Sequence, residues 1–192
     1  MIKLILMLMM GCAADLKTSN DADSLGPPPE PPVMGINERD DCDQKNVGSS
    51  VCNFVLLDQN GEFWELYDYT GKVVILDFST AWCYPCQIAG NYTQAIQDEY
   101  DDDIVFVTLL IEGVSGLPST EADVNEWVAS HNITTAPVLR ASREYVMDPQ
   151  GITGYLVGGY PTYVYIDQEM IIQAGHSGFN IDYVKNIIDG LL

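Results

Sequence analysis

Val73-Val74-Ile75-Leu76-Asp77-Phe78-Ser79-Thr80-Ala81-Trp82-Cys83-Tyr84-Pro85-Cys86 is the stretch on which the fold turns. Its first six residues are apolar or β-branched except for Asp77, a pattern that suits a central strand covered on both faces. Ile88, Tyr92, Ala95, Ile96 and Tyr100 follow at helical spacing, so a strand runs into an amphipathic helix with two cysteines at the junction. A helix start carries unpaired N–H groups and partial positive charge, which favour a thiolate on the first cysteine. The three-residue step lets the second sulfur reach the first. Cys83 is therefore read as the nucleophile and Cys86 as the resolving cysteine. Two other readings of the pair are an inert structural disulfide and half of a zinc site. Zinc needs four ligands, and Cys42, Cys52, His131 and His176 stand at unhelpful spacings, so no metal is expected.

Outward from this stretch the signals alternate. Asn53–Leu57 and Glu62–Leu66 flank Asp58-Gln59-Asn60-Gly61, where Asn-Gly marks a hairpin turn. Ile104–Ile111 reads as a second buried strand and Glu121–His131 as a helix with Val124, Trp127 and Val128 on one face. Pro137-Val138-Leu139 is a weak strand candidate, followed by loop or short helices through Gly154. Thr162–Ile166 and Met170–Ala174 read as strands joined at Asp167-Gln168-Glu169, and Asn180–Leu192 as a closing helix capped by Asn180. Strands alternating with helices and ending in a hairpin predict an α/β domain with a mixed sheet, and no internal repeat is present.

At Val74-Ile75-Leu76-Asp77-Phe78 and Ala81-Trp82-Cys83-Tyr84-Pro85-Cys86 the chain resembles the thioredoxin superfamily, and Gly159-Tyr160-Pro161-Thr162 resembles that family's cis-proline loop. The resemblance runs from about Asn53 to the C-terminus. It implies a thioredoxin-like fold, a central mixed sheet flanked by helices. Trp82, Tyr84, Pro85, Tyr160 and Pro161 would line the substrate site, and Asp77 would be a buried acid. Such an acid has a raised pKa and can accept the Cys86 proton through water; otherwise Asp77 is a strand-end carboxylate reaching solvent. His176, just past the last expected strand, falls near the family's substrate groove and is otherwise a plain surface histidine. The N-terminal hairpin and an insertion between Glu112 and Gly159, before the cis-proline strand, make the chain look like TlpA/ResA-like reductases and their AhpC/TSA relatives. Those reductases carry Glu and Pro soon after the second cysteine, where this chain has Gln87-Ile88-Ala89-Gly90. Peroxiredoxins carry a proline where Leu76 stands, although Thr80 matches their threonine.

The chain starts with Lys3 and an apolar run from Leu4 to Met10, too short to span a membrane and more like a signal peptide over residues 1–11. Gly11-Cys12 resembles the lipobox of bacterial lipoproteins, with Met9 departing from its usual aliphatic residue, so Cys12 is a candidate for lipidation; a plain secretory signal is the alternative. Residues 12–41 hold Gly26-Pro27-Pro28-Pro29-Glu30-Pro31-Pro32, which favours extended polyproline conformation and reads as a tether ahead of a domain at 42–192. With Cys12 set aside, the four remaining cysteines divide into Cys83 with Cys86 and Cys42 with Cys52. The second pair is either a structural bridge, as an oxidising compartment favours, or two free thiols.

Eight Lys and Arg against 28 Asp and Glu give a formal charge of −20, which repels nucleic acid and anionic lipid, so membrane association is expected through a lipid anchor only. The expected function is an extracytoplasmic, periplasm-facing thiol-disulfide oxidoreductase, reducing rather than oxidising because Tyr84-Pro85 brings no cation to the thiolate. The reaction needs no cofactor beyond the Cys83–Cys86 pair. Its partners would be protein thiols or disulfides and an upstream electron donor. A thiol peroxidase using Cys83 and a non-catalytic binding lipoprotein are the competing readings.

Overall fold

A computed structural model describes residues 42–146 and 154–192. The signal segment 1–11, Cys12 and the whole of the 12–41 tether lie outside the described residues.

The strands are β1 (Val55–Leu57), β2 (Phe63–Glu65), β3 (Val73–Thr80), β4 (Ile104–Glu112), β5 (Val138–Arg140), β6 (Thr162–Ile166) and β7 (Ile172–Ser177). They form one sheet in the order β2-β1-β5-β4-β3-β6-β7. β3 runs parallel to β4 and antiparallel to β6, and β4 runs parallel to β5. The helices are α1 (Tyr84–Tyr100), α2 (Glu121–Ser130), the single turn α3 (Arg143–Val146) and α4 (Ile181–Leu191). The α/β class, the mixed sheet, the leading hairpin and an insertion holding α2 and β5 are as the sequence predicts.

β3 explains the arrangement. All eight of its residues are buried, so both of its edges need partners and both of its faces need cover. Val73 and Ile75 face one side, where they pack with Ile96 of α1 and with Val184 and Ile188 of α4. Val74, Leu76 and Phe78 face the other, against Val51, Phe54, Trp64, Leu66 and Tyr155. Leu110 and Val138 meet Val124 and Trp127 of α2, which covers the sheet on the α1 side.

Local chemistry sets the boundaries. At the first hairpin the Asp58 carboxylate accepts the N–H groups of Asn60 and Glu62, and Gly61 takes φ +75°, a conformation open to glycine at little steric cost. Thr120 and Asp123 form a reciprocal capping box at the start of α2. Asn180 Oδ1 accepts the Tyr183 N–H at the start of α4, as expected. Two expectations need correction. The last strand begins at Ile172 rather than Met170, because the Asp167 carboxylate accepts the N–H groups of Glu169 and Ile171 and Met170 sits at φ +62° inside the turn. The strand also runs on to Ser177 rather than ending at Ala174, because β6 pairs Thr162 with Ser177 and Tyr163 with His176, so His176 lies within β7 rather than beyond it.

The buried face of α1 also differs from the one its large apolar residues suggest. Cys86, Ala89, Gly90, Thr93 and Ile96 point inward, while Ile88 and Tyr92 are about 40% exposed. Small residues are needed there because the buried His131 ring presses on the helix: a Cβ at position 90 would come within 2.8 Å of it. His131 follows α2 and packs on Trp127 with ring centroids 4.4 Å apart.

Cys42 and Cys52 are joined by a disulfide. It closes a loop held to the far hairpin by hydrogen bonds from Gly48 N–H to the Ile172 carbonyl, Ile172 N–H to Ser49, and Val51 N–H to Met170. Replacing both cysteines by serine should lower unfolding stability by about 2–3 kcal/mol, from the loop-closure entropy returned to the unfolded chain. Denaturant titration of the two proteins measures it.

Candidate active site

β3 and β4 are parallel, so their C-terminal ends open at the same edge of the sheet, and the chain leaving β3 crosses that edge into α1. Cys83 is the N-cap of α1, in extended conformation at φ −82° and ψ 112°. Pro85, in the first turn, has no N–H, so the amide that reaches the cap is that of Cys86, whose nitrogen lies 3.3 Å from Cys83 Sγ. The entry loop is braced from several sides. Ala81 N–H donates to the Glu112 carbonyl, Cys83 N–H to Thr80, and the Gln87 side-chain amide to the Ala81 carbonyl at 2.7 Å.

Cys83 and Cys86 are disulfide-bonded, with Cα atoms 5.2 Å apart. Cys86 is fully buried, whereas Cys83 keeps 5% of its surface exposed, which makes Cys83 the sulfur a partner can reach. The loop before β6 comes up against it. The Tyr160–Pro161 peptide is cis, and the Tyr160 carbonyl oxygen lies 3.5 Å from Cys83 Sγ. That loop is tied down by Gly178 N–H to the Pro161 carbonyl and by the Thr162 hydroxyl, which donates to the Gly159 carbonyl.

Asp77 is 1% exposed and lies on the same face of β3 as Val73 and Ile75, which pack against α1. Its strand neighbours are Thr108 and Tyr163, and its carboxylate accepts the Ser79 hydroxyl at 2.8 Å. Leu110, one same-face step beyond Thr108, belongs to the cluster containing Cys86. Burial pushes the Asp77 pKa up to about 7, against a smaller lowering by its hydroxyl partners. Near neutral pH this carboxyl can both hold and release a proton.

Trp82 and Tyr84 flank Cys83 and are 50% and 76% exposed, so with Pro85 they form an accessible rim. The Trp82 and Tyr160 rings meet edge-to-face at 6.0 Å. His176 is elsewhere: its Nε2 lies 2.9 Å from the Tyr165 hydroxyl, and its ring packs among Tyr163, Tyr165 and Tyr183 rather than on either active-site sulfur. Burial lowers its pKa. Among the described residues no group of three or more His, Cys, Asp or Glu is arranged to hold a metal ion.

Two residues at this rim are given no site role in the sequence reading. Glu112, at the end of β4, accepts the Trp82 indole N–H at 2.8 Å through one carboxylate oxygen and pairs with Arg143 through the other. The Arg143 guanidinium carbon stands 5.5 Å from the centre of the Tyr160 ring. Glu112 was within reach of sequence reasoning, since a polar residue ending a buried strand parallel to β3 must emerge beside Trp82. Arg143, reached through the insertion, left no such signal.

A family model described as AhpC/TSA family matches residues 47–174. The chain belongs to the AhpC/TSA family. Among the relatives of this AhpC/TSA chain, thioredoxin-like protein YneN of Bacillus subtilis is 30% identical over 132 residues, covering 68% of this chain and 71% of YneN. Thiol-disulfide oxidoreductase ResA of Bacillus cereus is 27% identical over 129 residues, 67% of this chain and 68% of its own. The exposed lipoprotein thioredoxin Etrx1 of Streptococcus pneumoniae superposes with a TM-score of 0.60 at 30% identity, covering 72% of this chain and 99% of that structure. The fold is thioredoxin-like, and the protein is an enzyme of the thioredoxin-like thiol-disulfide oxidoreductase class.

The raised Asp77 pKa gives stability a defined pH slope. Below about pH 4 the folded and unfolded chains both hold this proton and its contribution is fully present; between there and about 7 only the folded chain keeps it, so stability falls as pH rises, and levels off above. Asp77→Asn should remove this slope. Urea melts from pH 4 to 8 should show the variant gaining on the wild type by on the order of 3 kcal/mol. Parallel curves would place the carboxyl in contact with solvent.

Proposed function

We propose that this protein is an extracytoplasmic, membrane-tethered dithiol-disulfide oxidoreductase that reduces disulfides in protein clients. The observation that carries the reading is the placement of Cys83 Sγ at the start of α1, facing the Cys86 N–H and the Tyr160 carbonyl before cis-Pro161. A disulfide held there is addressed from the solvent side at one sulfur.

In the reduced enzyme the Cys83 thiolate attacks one sulfur of a client disulfide. The client S–S bond breaks, a Cys83–client mixed disulfide forms, and the second client sulfur leaves as a thiolate that takes up a proton. Cys86 then gives its proton to the Asp77 carboxylate through water and attacks Cys83 Sγ. The mixed disulfide breaks, the client departs fully reduced, and Cys83–Cys86 remains as the disulfide. Two electrons have passed to the client, whose last sulfur leaves as a thiolate and takes its proton from the Asp77 carboxyl or from solvent, and a donor dithiol outside the cytoplasm must return the electrons. The direction rests on the thiolate's modest support: one amide addresses the sulfur, and Tyr84-Pro85 adds no charge.

Location rests on three features of different kinds. These are the short apolar run ending at Gly11-Cys12, the Cys42–Cys52 disulfide, a bond that persists in oxidising compartments, and the resemblance to a pneumococcal protein described as an exposed lipoprotein.

With dithiothreitol as donor the protein should reduce insulin disulfides. Cys83→Ser should lose at least about 100-fold of that rate, since no thiolate remains to attack. Cys86→Ser should trap the mixed disulfide, visible on non-reducing gels. Full activity in Cys83→Ser would overturn the assignment, and hydroperoxide consumption in place of insulin reduction would favour the peroxidase reading.

A further inference from the structure

The described domain is acidic at its active rim as elsewhere. The titratable groups around Cys83 come from every element packed there: Asp77 on β3, Glu112 on β4, Tyr84 on α1, Tyr160 before β6, and His131 against Gly90 of α1. On α2, Asp123 and Glu126 line a hollow with Ala81 and Gln87. A thiolate forming in this company meets carboxylates on several sides, and Arg143 supplies a cation.

The placement of Arg143 is specific. Its guanidinium bonds the Glu112 carboxylate, whose side chain is only 12% exposed, and the same carboxylate holds the indole of Trp82, the residue before Cys83. On its other side the guanidinium lies over Tyr160, whose carbonyl touches Cys83 Sγ. One ion pair thus connects the residue preceding the nucleophile with the residue preceding the cis-proline. A partly buried carboxylate left without its cation would oppose a second negative charge nearby.

We propose that Arg143 is a positioning residue for Cys83: paired with Glu112 and capping Tyr160, it offsets the Glu112 carboxylate so that thiolate formation is not opposed, and keeps the Tyr160 carbonyl at the sulfur. The inference rests on Cys83 being the nucleophile of the function proposed above. It locates outside the C-x-x-C motif the cation that the motif lacks.

The test is the pH profile of Cys83 alkylation by iodoacetamide in the reduced full chain, read by mass spectrometry. Arg143→Met should raise the midpoint by about half a unit or more, an approximately threefold loss of reactive thiolate on the acid side of the profile. Glu112→Gln, which keeps an oxygen for the Trp82 N–H, should lie at or below the wild-type midpoint. The double variant should return to within about 0.2 unit of wild type, and Arg143→Lys should stay close to it. An unchanged midpoint in Arg143→Met, or a double variant as high as Arg143→Met, would overturn the proposal, because a purely structural contact is not restored by removing its partner. Alkylation needs no client, so a wild-type chain that failed to reduce insulin would end the proposed function and leave this measurement readable.

Discussion

β3 is covered on both faces along its whole length, and that cover governs the chemistry as much as the fold. Its edges pair with β4 in parallel and β6 antiparallel, which brings the ends of β3 and β4 and the start of β6 to one rim. It also takes Asp77 out of water, so that a group ordinarily ionised at neutral pH has its pKa raised to about 7. The same burial that makes the strand the centre of the sheet sets the protonation of this carboxyl. That burial costs folding free energy once the unfolded chain's carboxyl ionises.

Above the strand end, the electrostatics are built from weak contributions. Pro85 removes one helix-start amide from reach of the sulfur, leaving that of Cys86. Arg143 is engaged with Glu112 and Tyr160 and so acts by cancelling a charge more than by adding one. A thiolate supported this lightly is a better reductant than one held in a strongly cationic pocket, because a weakly stabilised dithiol gives up its electrons more readily.

Much of this could be read from the chain. The run Val73–Phe78 is apolar enough to be central, Asn60-Gly61 fixes the hairpin turn, and Asn180 announces α4, because each rests on local chemistry that the fold leaves intact. The resemblance at Gly159-Tyr160-Pro161-Thr162 pointed to the loop that meets Cys83. What escaped were contacts decided by tertiary packing. The large residues Ile88 and Tyr92 imitate a buried stripe, while the real interface of α1 is small, because the His131 ring occupies the space in front of Gly90. His176 was placed by a strand end that pairing with β6 carries on to Ser177. The Arg143–Glu112 pair joins residues 31 positions apart, and no pattern in either segment foretells it.

The approach of the Tyr160 carbonyl to Cys83 Sγ spans 77 positions of chain. Closing a loop of that size is entropically costly and comes after local structure has formed. The two cysteines, three residues apart, can find each other in a largely unfolded chain; the carbonyl that frames them cannot reach them until β6 has docked on β3. Competence for selective disulfide exchange is therefore acquired late in folding. A chain in which β6 has not yet docked carries the two cysteines without the carbonyl that frames them.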